Sequence, residues 1–419
     1  MSFLFILYFV FFCWLITKIK FFKQAGLSNT VLTGLFLVKI IAGLAYAFYF
    51  LQPSQIEGSD TWRYYRISLS ETNMLLTHPV HFVTSLFQYH YDDAGNLFNA
   101  HNSYWNDLKS NTIIKLIAVI NVFTNRNYYA DIVFFNFFFF FGLMAFYRLM
   151  NTFFIGKKWL LIVSVFLTPS FLFWCSGIHK DGLIFSALGL ILYFFYLSLQ
   201  KGFSFKRVVI IVLSALLIFA LRNHVCIILI PALTGWWLVQ KFNLKPIVVF
   251  ASVYSISVIL FFASPYIHPK INLPQYVVTK QQEFNHLKGN SKINAEPLFT
   301  ASFNGFMHYL PTALDMSFLR PHFFEIQNKA YWPAIAEIYG LLILSVLILF
   351  FKRKNIPPSL VTILWVNFSI AFSLLLIEGY TVTFVGGIVR YRSLVFPLLF
   401  ASVITIADIE KMKRCLKHH

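Results

Sequence analysis

Three consecutive ionisable residues, His179-Lys180-Asp181, follow a Ser176-Gly177 turn between two apolar stretches. An imidazole, an ammonium and a carboxylate in one short hairpin can carry a proton, bind an anion and orient either. A plain hydrophilic turn would more often be built from Asn, Gly or Ser. Lys180 is the residue expected to bind phosphate, with Asp181 orienting it or helping to hold a cation. Asp60 is the second candidate, within Gly58-Ser59-Asp60-Thr61-Trp62-Arg63-Tyr64-Tyr65. A carboxylate there can take a proton from a hydroxyl group or coordinate a divalent cation, Mg or Mn. The rings beside it are suited to stacking on a sugar, and Arg63 joins the anion-binding candidates. The plainer alternative for Asp60 is a solvated acid bonded to local amides.

Arg222-Asn223-His224 forms another polar turn. A guanidinium fork suits phosphate oxygens, and snorkelling at a helix end is the alternative. Arg390-Tyr391-Arg392 is expected to open the last apolar stretch. Residues at i and i+2 do not share a helix face, so one arginine should reach a site and the other the headgroups. Glu378 could pair with either. Arg320, before Pro321 and close to Asp315, either closes over a substrate or anchors its own loop. Lys39 lies inside an apolar run and is expected to pair internally. The remaining histidines form no i, i+4 pair, and no zinc site is expected. No cofactor beyond a divalent cation is called for.

The elements that must position these residues are set by composition. The chain has 419 residues, of which 58% are hydrophobic, 19% aromatic and 12% charged. Soluble domains carry about 25% charged residues, so lipid is the main solvent and one integral membrane domain, 1–419, is expected. The net charge of +18 would suggest nucleic acid in a soluble protein. Here the excess of Lys and Arg in cytoplasmic loops explains it, and no nucleic acid partner is expected. Cys13, Cys175, Cys226 and Cys415 have no CxxC spacing, which argues against a disulfide framework. The first apolar run lacks a basic n-region and a small-residue cleavage site, and reads as a retained helix.

About eleven spans fit: 2–17, 30–51, 130–150, 158–176, 182–199, 208–222, 224–240, 246–266, 334–351, 358–378 and 390–408. Lys18, Lys20 and Lys23 then share one side with Lys157, Lys158, Lys201, Lys206, Arg207, Lys241, Lys245, Lys352, Arg353, Lys354 and the basic tail. That side is assigned to the cytoplasm, with the N-terminus outside and the C-terminus inside. The expected fold is an all-α polytopic membrane protein. Two outer loops remain, 52–130 and 267–333, and Ile113–Phe123 within the first is too short to cross and should lie in the interface. Asp60, Arg63, His179, Lys180, Asp181, Arg222, His224, Arg390 and Arg392 all fall on the outer side.

This arrangement resembles the GT-C superfamily of membrane glycosyltransferases. The residues that carry the resemblance are Asp60 ahead of Tyr64 and Tyr65, Pro169 ahead of Ser176-Gly177 and Lys180-Asp181, and Arg390-Tyr391-Arg392 ahead of Pro397. The stretch Phe173–Asp181 is similar to one in bacterial envelope proteins. Asp60 has no adjacent acidic partner, and the Asp92-Asp93 pair sits in a different context. The resemblance implies a polyprenyl-phosphate or polyprenyl-diphosphate sugar donor at the outer face, a glycan or lipid-linked acceptor, and a bacterial inner (cytoplasmic) membrane location. Asp60 would be the base on the acceptor hydroxyl, while Arg222, Lys180 and Arg390 or Arg392 would hold the phosphate. Three rivals stay open: an O-antigen or capsular polysaccharide polymerase, a transporter or flippase, and a non-catalytic envelope scaffold. A transporter would show inverted repeats and Gly/Pro-broken helices, which the sequence does not display.

Overall fold

The computed structural model describes residues 3–56, 58–88, 104–154, 158–268, 271–286, 291–293, 300–324, 331–408, 411 and 414. Asp92, Asp93, His90, His101 and Cys415, and the side chains of Tyr104 and Trp105, lie outside the described residues. Among those described, the regular structure is helical, with two isolated β-bridges and no named strand. Seven helices are long and apolar enough to cross a membrane: Asn29–Leu51, Tyr128–Phe153, Lys180–Lys201, Asn223–Phe242, Pro246–Ile267, Trp332–Phe350 and Pro358–Thr381. The bent pair Val385–Ser393 and Phe396–Ile406 makes an eighth if its 55° bend lies within one span. The protein is therefore a helical, multi-pass membrane protein. Phe3–Lys18 and Phe205–Leu221 are shorter, at 16 and 17 residues.

Two compact units divide the chain. The first comprises Met1–Leu97, His101–Leu149 and Phe171–Cys226. Within it, Phe3–Lys18 packs on Asn29–Leu51, Asp60–Thr77 on Tyr104–Thr124, and Lys180–Lys201 on Phe205–Leu221. Close packing without a hydrophobic driving force favours small residues where helices cross. Gly189 shows this: a Cβ there would lie 2.9 Å from the Gly142 carbonyl carbon. Three rings of the phenylalanine run, Phe137, Phe139 and Phe140, are buried packing material, and Phe138 is exposed.

The stretch 52–130, expected to be a loop with an interfacial helix, is largely helical. Asp60–Thr77 begins at the Ser59 cap, whose hydroxyl accepts from the Trp62 N–H. Its buried face carries Thr61, Tyr64, Ser68 and Thr72. Those hydroxyls are matched from the facing helix: Asn121 Nδ2 donates to Ser68 Oγ at 2.9 Å and to Thr72 Oγ1 at 3.2 Å. Lys115, nearly buried, donates to Glu71 at 2.7 Å and to Ser85 at 2.9 Å.

The second unit comprises Phe98–Ala100, Met150–Ser170 and Ile227–His419. Two expected continuous spans are broken. The expected span 158–176 consists of Lys158–Phe166 and a separate helix, Pro169–Trp174. Pro169 has no N–H to continue the ladder, and the residue before a proline is driven out of the helical region. The expected span 390–408 is likewise two helices, Pro397 standing in the first turn of the second. Arg390 and Arg392 close the helix Val385–Ser393 rather than opening a span.

Candidate functional site

The His179 turn is held from below by buried polar groups. Lys39 is 1% exposed, and its Nζ donates to the Cys175 carbonyl at 3.0 Å and to Ser176 Oγ at 2.9 Å. Asn136 Nδ2 donates to the Ser176 carbonyl at 2.7 Å. Backbone carbonyls left over at a helix end need partners in lipid, and Lys39 and Asn136 supply them. Gly177 lies against the Tyr46 ring, where any side chain would collide. The turn is thus fixed before the chain reaches His179, which stands at the position before the first turn of the helix Lys180–Lys201.

From His179 a chain of ionisable groups runs in both directions. Its Nδ1 is 2.9 Å from Asp181 Oδ2, and its Nε2 is 3.5 Å from Asp60 Oδ2. The Asp181 N–H is also 3.3 Å from Nδ1, but the carboxylate is nearer, and a nitrogen that donates to it cannot also accept. Asp181 Oδ1 in turn meets Arg222 Nη2 at 2.6 Å. The His179 and Asp181 side chains are fully buried, whereas that of Asp60 is 30% exposed. Arg63, exposed, stands 3.6 Å from Asp60 Oδ1. The result is a guanidinium–carboxylate–imidazole–carboxylate series with one end open. In such a series the buried carboxylate orients the imidazole, and the imidazole serves the group at the open end. Arg222 lies against the far oxygen of Asp181 and balances its charge.

Lys180 is half-buried beside the relay, and His224 follows Arg222, its N–H donating to Asn223 Oδ1 at 2.8 Å. The first unit therefore brings together Asp60, Arg63, His179, Asp181 and Arg222. The rings beside Asp60 serve packing. Trp62 stacks on Tyr128 with centroids 4.0 Å apart, and Tyr64 is buried. Tyr65 donates its hydroxyl to the Arg126 carbonyl. Burial pushes the Tyr65 phenol above its ordinary range and the charge of Asp131 adds to this, which keeps it a donor.

Arg320, Arg390 and Arg392 belong to the second unit. Arg392 is 1% exposed. Its Nη1 donates to the Ser317 carbonyl at 3.2 Å and the Arg320 carbonyl at 2.5 Å. Glu378 and Glu337 lie within electrostatic range of it. Glu337 accepts the Ser170 N–H at 2.7 Å and the Ser170 hydroxyl, capping the start of Pro169–Trp174. Arg390 is half-buried, its guanidinium 5.5 Å from the Tyr391 ring centre. Arg320 Nε pairs with Asp315 at 2.8 Å, and His322 shares the same carboxylate at 3.0 Å. Arg390 and Arg392 thus face different surroundings, as their spacing requires.

Sequence reasoning passed over Glu337. Glu337 carried one signal, a carboxylate inside an apolar run. Among the described residues no group of three or more His, Cys, Asp or Glu side chains is placed to hold a metal ion. No protein-family model matches the chain, and neither does any curated protein or solved structure.

Proposed function

We propose that the protein is a membrane glycosyltransferase of the GT-C type, transferring sugar from a polyprenyl-phosphate donor to a glycan or lipid-linked acceptor. The observation that carries this reading is the relay Arg222–Asp181–His179–Asp60, in which only Asp60 meets the surface. Asp60 takes the acceptor proton and shares it with His179 Nε2, Asp181 and Arg222 keep the imidazole in place, and the polyprenyl phosphate leaves with the electron pair of the broken sugar–phosphate bond. On the expected orientation, with the basic clusters in the cytoplasm, this end faces the extracytoplasmic side, in keeping with the bacterial inner membrane that the resemblance implies. The test is profiling of the envelope glycans in cells carrying wild type or Asp60→Asn at matched membrane levels. Loss of one glycan species is expected; a change confined to chain length would favour a polysaccharide polymerase.

A second reading, transport, draws on the broken helices. Discontinuous helices and buried charges are what transporters place around a substrate path. The breaks after Phe166 and before Phe396, with Arg392 and Glu337 buried, have that character. Under this reading Asp60→Asn would leave every glycan species in place, and an Arg392 variant that still folds would stop uptake.

A further inference from the structure

Arg392 is enclosed in the second unit, 1% exposed, and only part of its guanidinium is engaged. Nη1 donates to the Ser317 and Arg320 carbonyls, while Nε and Nη2 have no hydrogen-bond partner among the described residues. A charged donor left unmade in the interior is costly, and lipid offers no water to satisfy it. Nε and Nη2 carry the parallel N–H bonds of one guanidinium edge, the edge that grips a planar carboxylate with both nitrogens. Neither nearby glutamate takes it. Glu337 is turned to Ser170, accepting from its N–H and its hydroxyl. Glu378 acts on Arg392 through its charge alone.

The surroundings of that edge are short of a cation. Among the described residues, Arg392 is the one charged group that acts on Glu337, and it serves Glu378 as well. Arg320, close by through its carbonyl, has its guanidinium on Asp315. One guanidinium therefore faces two buried carboxylates. The backbone here is also irregular. Ser317 lies in the π-turn Asp315–Leu319. Arg392 stands just before the 55° bend between Val385–Ser393 and Phe396–Ile406, and Glu337 accepts from Ser170 next to the break at Pro169. Interrupted helices are where membrane carriers bind small substrates, and π-turns are frequent at functional sites.

We propose that Arg392, Glu378 and Glu337 form a buried site for a small α-amino acid in its zwitterionic form. The ligand carboxylate accepts from Nε and Nη2, and the ammonium lies toward the two glutamates. The count of charges selects this class. A simple carboxylate or a phosphate would satisfy the arginine edge but add negative charge beside two carboxylates, and a simple amine would leave the edge unmade. A zwitterion meets both needs with no change in net charge. The site stands apart from the relay in the first unit and goes beyond the transferase reading; under transport it names the substrate class. With Arg392 enclosed, the smallest member of the class, glycine, is the probe.

Binding of radiolabelled glycine is measured on the full chain in phosphatidylcholine nanodiscs, with unlabelled glycine, acetate and methylamine as competitors. Saturable binding is expected, with acetate and methylamine each competing about tenfold less well than glycine. Glu378→Gln keeps the shape and removes one negative charge. It is expected to weaken glycine about tenfold and to strengthen acetate, opposite shifts that a loosened fold does not produce. Arg392→Lys keeps the charge, loses the fork and should weaken both. No saturable glycine binding to wild type, or competition by acetate or methylamine equal to that of glycine, would overturn the site, and this holds even where a variant fails to fold. A folded Glu378→Gln protein that binds glycine and acetate as wild type does would overturn it as well. Glycine uptake into proteoliposomes separates the claims. Binding without uptake keeps the site and counts against transport, whereas no binding removes the site and leaves the Asp60 relay to its own test.

Discussion

Each unit buries an arginine, one paired with a carboxylate and one bonded to backbone carbonyls, and the two differ in where the network ends. In the first, Arg222 and Asp181 support His179, and the series reaches the surface at Asp60, whose side chain is 30% exposed. In the second, Arg392 is 1% exposed and donates to two backbone carbonyls, with Glu378 and Glu337 also buried. A buried ion cluster with no open end can hold helices together and nothing more without moving. One that surfaces at a single carboxylate can exchange a proton with a bound molecule. Both contain an arginine and carboxylates, the first adds an imidazole, and it is the first that has a member at the surface.

The comparison can be broken by substitution, with the largest stability change expected in the second unit. Arg392→Met strands the Ser317 and Arg320 carbonyls and removes a buried cation from the range of Glu378 and Glu337. A loss of about 3–5 kcal/mol is expected, read as a collapse in melting temperature and yield in detergent. Lys39→Met removes the ammonium from the Cys175 carbonyl and Ser176. About 1–3 kcal/mol should be lost, and the glycan product should fall with it because the His179 turn loosens. Thr61→Val deletes the buried 2.6 Å bond to the Tyr128 hydroxyl and should cost about 1 kcal/mol. An Arg392→Met protein as stable as wild type would show that its cluster is not a strut, and would favour transport.

Much of the helical frame was legible, because apolar runs longer than about 18 residues leave few alternatives. Asn29–Leu51, Pro246–Ile267 and Pro358–Thr381 stand close to their expected bounds. The breaks at Pro169 and Pro397 were signalled, since proline favours the first helical turn, but both prolines were read as interior to a span. The helix Asp60–Thr77 escaped the apolar-period test because its buried face is Thr61, Tyr64, Ser68 and Thr72. The hydroxyls of Thr61, Ser68 and Thr72 are satisfied by Tyr128, Asn121 and nearby carbonyls. Within the site, the His179-Lys180-Asp181 run was legible as a turn dense in ionisable groups. The pairing of Asp181 with Arg222 across 41 positions could not be read from spacing along the chain.

The most direct test of the relay pairs one substitution with two readouts. Asp60→Asn keeps the shape of a partly exposed side chain and should cost about 1 kcal/mol or less. The expected result is a melting curve like that of wild type together with complete loss of one envelope glycan species. A full glycan profile from a protein that folds and reaches the membrane at wild-type levels would contradict the assignment of Asp60 as the working end of the relay.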